Sequence, residues 1–301
     1  LLLVFYAILA MFLFLAISAY KAYKYAKMPI HGRLELYPVP KEKGHGHGGS
    51  YMEEQEWWTK PRETSFASEL VDMLKEMLFI KKLFQNQKPF WWLSYALHLG
   101  IYFIIAWTII LTMGAITQLS GGTVAADSGV WGKLLFYVTP LVGWIGFMLA
   151  SFGALTLIIR RLTDSVLRKY TTPQEYFNLL LLFVVTITGA LVWSSDITMS
   201  NAREAMVNVL SFQPLNGDPL LITHIILTGF MLIYIPSSKM SHYVGKFFTF
   251  HKVLWDNDPN LPGSKVDEMI RQGANYKPQN KWSAPHIAGT GAPAEQAPTK
   301  R

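Results

Sequence analysis

The sequence predicts an all-α integral membrane protein, a bundle of five transmembrane helices. Composition is the first reason: of 301 residues, 51% are hydrophobic and only 16% charged, against about a quarter charged in a soluble domain. Distribution is the second. The apolar residues fall in runs, and a helix of about 20 residues crosses a hydrocarbon core of about 30 Å. There is also no cysteine, which excludes thiolate-held iron–sulfur clusters, c-type haem attachment and disulfides. Any redox centre on this chain must therefore hang on His or Met.

The first run, Leu1 to Tyr20, has neither a basic leader nor a small-residue cleavage site. It reads as a first transmembrane helix and not as a signal peptide. Residues 21–88 form a polar segment, Pro- and Gly-rich from Tyr37 to Gly49. It then offers an interfacial helix with Leu70, Val71, Leu74, Met77 and Leu78 on one face. The second span runs from Pro89 to Leu119, with Pro89 suited to a first helical turn. Trp131–Ile159 and Tyr176–Trp193 make the third and fourth spans. The fifth starts at Pro219 and is expected to continue through Pro236 to around Phe248 as one helix. Residues 89–250 thus form a four-helix membrane core. Residues 251–301, rich in Gly, Pro, Ala and Gln, read as an extended tail.

Charge sets the expected orientation. The segment 21–88 carries a dozen Lys and Arg, and Arg160, Arg161, Arg168 and Lys169 follow the third span. The connections at 120–130 and 195–218 hold almost none, Arg203 being the exception. The positive-inside rule then places the N-terminus outside, and the first loop, the third loop and the C-terminus in the cytoplasm of a prokaryote. The net charge of +7 fits a basic membrane or partner-facing surface. No aromatic-basic motif points to nucleic acid.

Three of the eight histidines, His98, His224 and His242, fall at or near membrane depth, where an ionisable side chain is a functional residue by default. On one continuous helix, the eighteen residues between His224 and His242 would span about 27 Å and five turns, aligning both imidazoles. With helix two at 89–118 and helix five at 217–249, His98 lies about 8 Å and His242 about 13 Å to the same side of mid-membrane. Depth therefore pairs His98 with His242 as axial ligands of a haem. Gly100 and Gly114 mark where a flat macrocycle would want backbone clearance. The bland reading is that each histidine merely hydrogen-bonds between helices.

The motifs resemble the gamma (cytochrome b) subunit family of respiratory nitrate reductase. That group includes the membrane subunits of heterodisulfide-reductase-like and sulfite-reduction-linked electron-transfer complexes. The likeness rests on Ser94-x-x-x-His98-x-Gly100, on Arg160-Arg161-Leu162 followed by Arg168 and Thr171-Thr172, and on His224 with Pro236-x-Ser238-Lys239-x-x-His242. It implies a haem b between His98 and His242, with Arg160 and Arg161 as candidates for its propionates. It further implies a quinone-reactive oxidoreductase subunit exchanging electrons between menaquinol, or another quinone, and a cytoplasmic iron–sulfur subunit. Further membrane or outer-side cytochrome subunits complete such complexes. One departure stands out, because Thr108 occupies the position of the family's second helix-two histidine. His224 then either holds an outer haem with an unusual partner such as Met, which its retained spacing favours, or serves a quinol directly. Lys133 and Asp127 join it as quinone candidates.

Weaker signals are His45-Gly46-His47, a metal-like tract better read as a solvated turn, and His251, beyond the membrane. Glu53, Glu54, Glu56, Trp57 and Trp58 form an acidic-aromatic patch suited to the interface or to a docked subunit. The competing function is a haem-free anchor for a cytoplasmic redox enzyme. A transporter is disfavoured because no internal repeat or pair of interrupted helices is evident.

Overall fold

The computed structural model describes residues 1–28, 55, 56, 59, 66–215, 217–250 and 261–275. The metal-like tract at His45 and His47, His251, and most of the acidic-aromatic patch (Glu53, Glu54, Trp57, Trp58) lie outside the described residues. The chain divides into two compact units, residues 1–28 with 32–256, and residues 29–31 with 257–301.

Among the described residues every regular element of the first unit is helical: α1 (Leu2–Lys27), α2 (Phe66–Phe79), α3 (Lys81–Asn86), α4 (Lys88–Leu119), α5 (Val130–Thr163), α6 (Ser165–Tyr170), α7 (Pro173–Ser194), α8 (Ser200–Leu210), α9 (Pro219–Ser237), a 3₁₀ turn (Lys239–Ser241) and α10 (His242–Thr249). Five of these, α1, α4, α5, α7 and α9, are long and apolar enough to cross a membrane. The protein is a multi-pass membrane protein. Local chemistry sets the helix starts. Pro89 sits in the first turn of α4. Thr172 and Glu175 form a capping box ahead of α7, and the Asp218 carboxylate accepts the Leu221 N–H at the head of α9. Between α5 and α6, Asp164 accepts the Leu167 and Val166 N–H groups and pairs with Arg160. The Leu167 bond chiefly holds its carboxyl below the usual carboxylate range.

In sequence order α4 packs on α5, α5 on α7, α7 on α9, and α1 on α9. The α4–α5 seam is the tightest. A Cβ on Gly100 would land on the Ala150 backbone nitrogen, and one on Gly153 would land on that of Leu97. Leu97, Ala150, Ala154, Leu157 and Leu179 close the core around this seam. Small residues serve this way in membrane bundles because close van der Waals contact, not hydrophobic exclusion, drives helix association. Gly100 is therefore spent on a helix–helix approach, and Gly114 faces Arg203 Cδ. Neither leaves the macrocycle clearance expected of it.

The fifth span departs from expectation. It is not one helix to Phe248: α9 ends at Ser237, just past Pro236. Ser238 is extended, with φ −107° and ψ −178°, and its Oγ accepts the Met240 N–H to open the 3₁₀ turn. Proline removes a backbone donor and crowds the preceding turn, while the Ser238 hydroxyl offers the chain another bond. His242 thus begins a new helix, and the five-turn alignment with His224 does not apply.

Helix α2 carries its apolar residues outward. Leu70, Val71, Leu74 and Leu78 are exposed, while Met73 and Glu76 face the protein. That is the pattern of a helix lying in an interface, its apolar face toward lipid. Three contacts hold it. Tyr102 O–H donates to the Met77 carbonyl at 2.6 Å, Trp91 Nε1–H to the Phe79 carbonyl at 2.7 Å, and Lys246 of α10 pairs with Glu76 at 3.1 Å. Glu76, 7% exposed, also accepts the Lys82 N–H. Replacing Lys246 by Met should leave this buried carboxylate short of its cation and loosen α2 by about 1–2 kcal/mol, less than a fully buried pair because Lys246 is partly solvated. Hydrogen exchange across 66–79 should accelerate. Unchanged protection there would show that the ion pair does not hold the helix.

In the second unit the described stretch is not extended. Lys265–Ala274 forms α11, capped by Ser264 Oγ on the Asp267 N–H and braced by Arg271 on Asp267.

Candidate functional site

Two histidines from distant parts of the sequence meet at the end of the bundle that carries α2 and α10. The His98 and His242 ring centroids lie 6.1 Å apart, with ring planes inclined by 64°. An iron about 2.0 Å from one nitrogen of each ring would put the centroids roughly 6.3 Å apart, ring nitrogens being about 1.2 Å from their centroid. The observed spacing would let a single ion take one nitrogen from each helix. Among the described residues no three His, Cys, Asp or Glu converge as a metal cluster. Each ring offers one nitrogen, so a metal held by this pair would need further donors, which a haem would bring with it.

The surroundings prepare His98 for that role. Its Nδ1 lies 2.7 Å from the Ser94 carbonyl one turn back. A carbonyl only accepts, so Nδ1 carries the proton and Nε2 keeps its lone pair free. Tyr102, whose ring centroid is 6.5 Å from that of His98, ties the same stretch of α4 to α2. From α10, four residues beyond His242, Lys246 ties to α2 as well. The Ser18 and Tyr243 hydroxyls, 2.5 Å apart, and Lys21 donating to Ser241 Oγ fasten the start of α10 to α1. The two histidines share a depth, as expected, but not on one continuous fifth helix. They meet although α9 stops short, because the 3₁₀ turn carries the chain on to the same level.

His224 lies elsewhere, in α9 toward the opposite end, 8% exposed. The Thr188 hydroxyl donates its proton to the Val184 and Val185 carbonyls. At 3.1 Å from His224 Nδ1, its oxygen is left to accept, which again puts the proton on Nδ1. Around the imidazole stand Trp193 and Phe147, edge-on at 6.0 and 6.3 Å. Thr108 turns its hydroxyl into its own helix, onto the Ile104 carbonyl.

The remaining candidates are dispersed. Lys133 and Asp127 are exposed, and among the described residues no hydrogen bond or ion pair joins either to His224. Arg160 pairs with Asp164. Arg161 donates through Nη1 to Thr171 Oγ1 and keeps a buried Nε without a partner, so of the two arginines it has the capacity to take a carboxylate.

Sequence reasoning noted Arg203 only as an exception to the charge pattern. It lies 4% exposed on α8, donates from Nη2 to the Val124 carbonyl at 3.4 Å, and leaves Nε and Nη1 unpartnered. Burial pushes its guanidinium below its ordinary range, with Asp196 partly offsetting. It borders a cavity of about 400 Å³ together with Gln118, Leu119, Ser200, Glu204 and Val207. Trp107 and Met199 were also missed. Both read as ordinary apolar residues, since nothing local in the sequence distinguishes a membrane tryptophan facing lipid from one facing its neighbours.

No family model matches the chain, and no solved structure matches it. The motif resemblance to the nitrate reductase gamma family therefore has no family match behind it. The heterodisulfide-reductase-like side of that resemblance does have a relative. Over 110 residues, 34% of this chain and 33% of the relative, the sequence is 29% identical to an Hdr-like menaquinol oxidoreductase cytochrome b-like subunit of Archaeoglobus fulgidus. The match thus spans about a third of each protein.

Proposed function

We propose that this chain is the membrane cytochrome b subunit of a menaquinol-linked oxidoreductase, with a haem b held by His98 and His242. The reading rests above all on the meeting of the two imidazoles, whose centroids lie 6.1 Å apart, near enough that both would hold one haem iron. The name of the Archaeoglobus relative supports it. When bound, haem supplies one-electron exchange, which a paired-electron carrier such as quinol and an iron–sulfur partner both need. The chain does the rest. Ser94 fixes the ring orientation of His98, and α1 and α2 brace the two elements that carry the ligands. Arg161 stands at the same basic end for a propionate. By its charge this end faces the cytoplasm, where an iron–sulfur subunit would dock.

The test is a reduced-minus-oxidised spectrum of the purified chain in detergent, first with dithionite and then with menadiol as a soluble quinol. A b-type spectrum reducible by both is expected. A folded preparation without haem, after reconstitution with haem has been attempted, would leave the anchor reading in its place.

A further inference from the structure

Resting on that haem-binding reading, we infer that the chain holds one haem only: at the level of His224 a plug of Trp107, Phe147, Trp193 and Met199 fills the space a second would need. The residues there do not fit a macrocycle. Trp107 lies 5.2 Å from Phe147 and 5.3 Å from Trp193, ring centroid to centroid, and Phe147 lies 5.8 Å from Trp193. A planar group slotted between two faces needs about 7 Å, twice a van der Waals contact of about 3.5 Å. Glycines do not open the space either. A Cβ on Gly143 would meet the Trp107 ring and the Met199 methyl at 2.7 Å, and one on Gly189 would strike the Phe147 ring. Their missing side chains already accommodate aromatic rings.

The plug is anchored by polar and backbone features. Trp107 Nε1–H donates to Met199 Sδ at 3.0 Å. Met199 is 0% exposed and sits in the left-handed region, with φ 54° and ψ 30°. A non-glycine residue adopts that conformation only where its surroundings over-determine it. It turns the chain so that α8 folds back on α4 and lays Ala202 into the same cluster as Trp107 and Leu111. The open Nε and Nη1 of Arg203 do not mark a missing propionate within this cluster. Its Nη2 reaches the 120–129 connection, and the cavity it borders lies against the last residues of α4.

Gln118, beside that cavity, is twenty residues along α4 from His98, about 30 Å of helix. With only side chains between, electrons enter and leave this chain within the half that holds His98 and His242.

The test is haem stoichiometry, from pyridine haemochrome absorbance and iron per protein, with a potentiometric titration of the same samples. Wild type should bind one haem and titrate as a single one-electron wave. His224→Ala should keep that haem with its midpoint unchanged. Thr108→His should still bind one haem, whereas Thr108→His with Trp107→Gly should take up a second. Two haems in wild type would overturn the inference, as would a second haem in Thr108→His alone, since a missing ligand and not the plug would then be the cause. Absence of haem from wild type would instead overturn the cytochrome reading beneath it. Because Trp107→Gly risks unfolding, the wild-type, His224→Ala and Thr108→His measurements decide the matter without it.

Discussion

Replacing His98 or His242 by alanine should remove the haem altogether. Losing an outer-shell partner of a metal ligand typically weakens binding by 10–100-fold, so losing an axial ligand should weaken it by more than about 100-fold. The purified variant should lack the b-type difference spectrum while keeping its helical circular dichroism. The two single variants and the double variant should behave alike, because each single change already ends a site made of two ligands. His224→Ala serves as the contrast: it removes a buried imidazole at a different level and should leave the spectrum intact. If both single variants keep a full haem complement, the meeting of these rings is a helix-pairing contact and nothing more.

The largest effect on stability should come from the α4–α5 seam. Gly153→Ala would drive a methyl into the Leu97 backbone, and Gly100→Ala into that of Ala150. Overpacking ordinarily costs about 1–3 kcal/mol. Here the obstacle is main chain, which cannot rotate aside, so each change should lie near the top of that range. Thermal unfolding in detergent would show it. Gly245→Ala in α10 is the matched control, with only Tyr25 Cε2 at 4.0 Å, and it should shift stability by less than about 0.5 kcal/mol. Gly100 is two residues from His98, so that variant should lose haem affinity as well as stability. A seam that tolerates both alanines would mean that α4 and α5 slide to make room.

Much of the fold could be read from the chain because membrane helices announce themselves by length and apolarity. All five spans were legible; apart from the break in the fifth, their ends were missed where polar residues continue a helix into the headgroup region, as at Lys21 to Lys27 of α1 and Arg160 to Thr163 of α5. Apolarity is equally silent about interruptions. Pro236 was taken as tolerated within a helix, and only the competing hydroxyl of Ser238 and the packing of α10 against α1 and α2 decided that the helix ends there. The two glycines were assigned to a macrocycle for the same reason: a glycine shows that something comes close, but not what.

By itself, then, the sequence determined the number of membrane helices, the absence of any thiolate centre, and a short list of histidines from which a redox site could be built. Those follow from solvation and from donor chemistry, which act residue by residue. The tertiary structure alone decided that the fifth span breaks just past Pro236, that Gly100 and Gly153 serve the α4–α5 seam, and that Trp107 and Met199 close the far half of the bundle. Each of these depends on which side chains share a space. In a chain where nearly every span is apolar on all sides, hydropathy carries no record of which face looks inward.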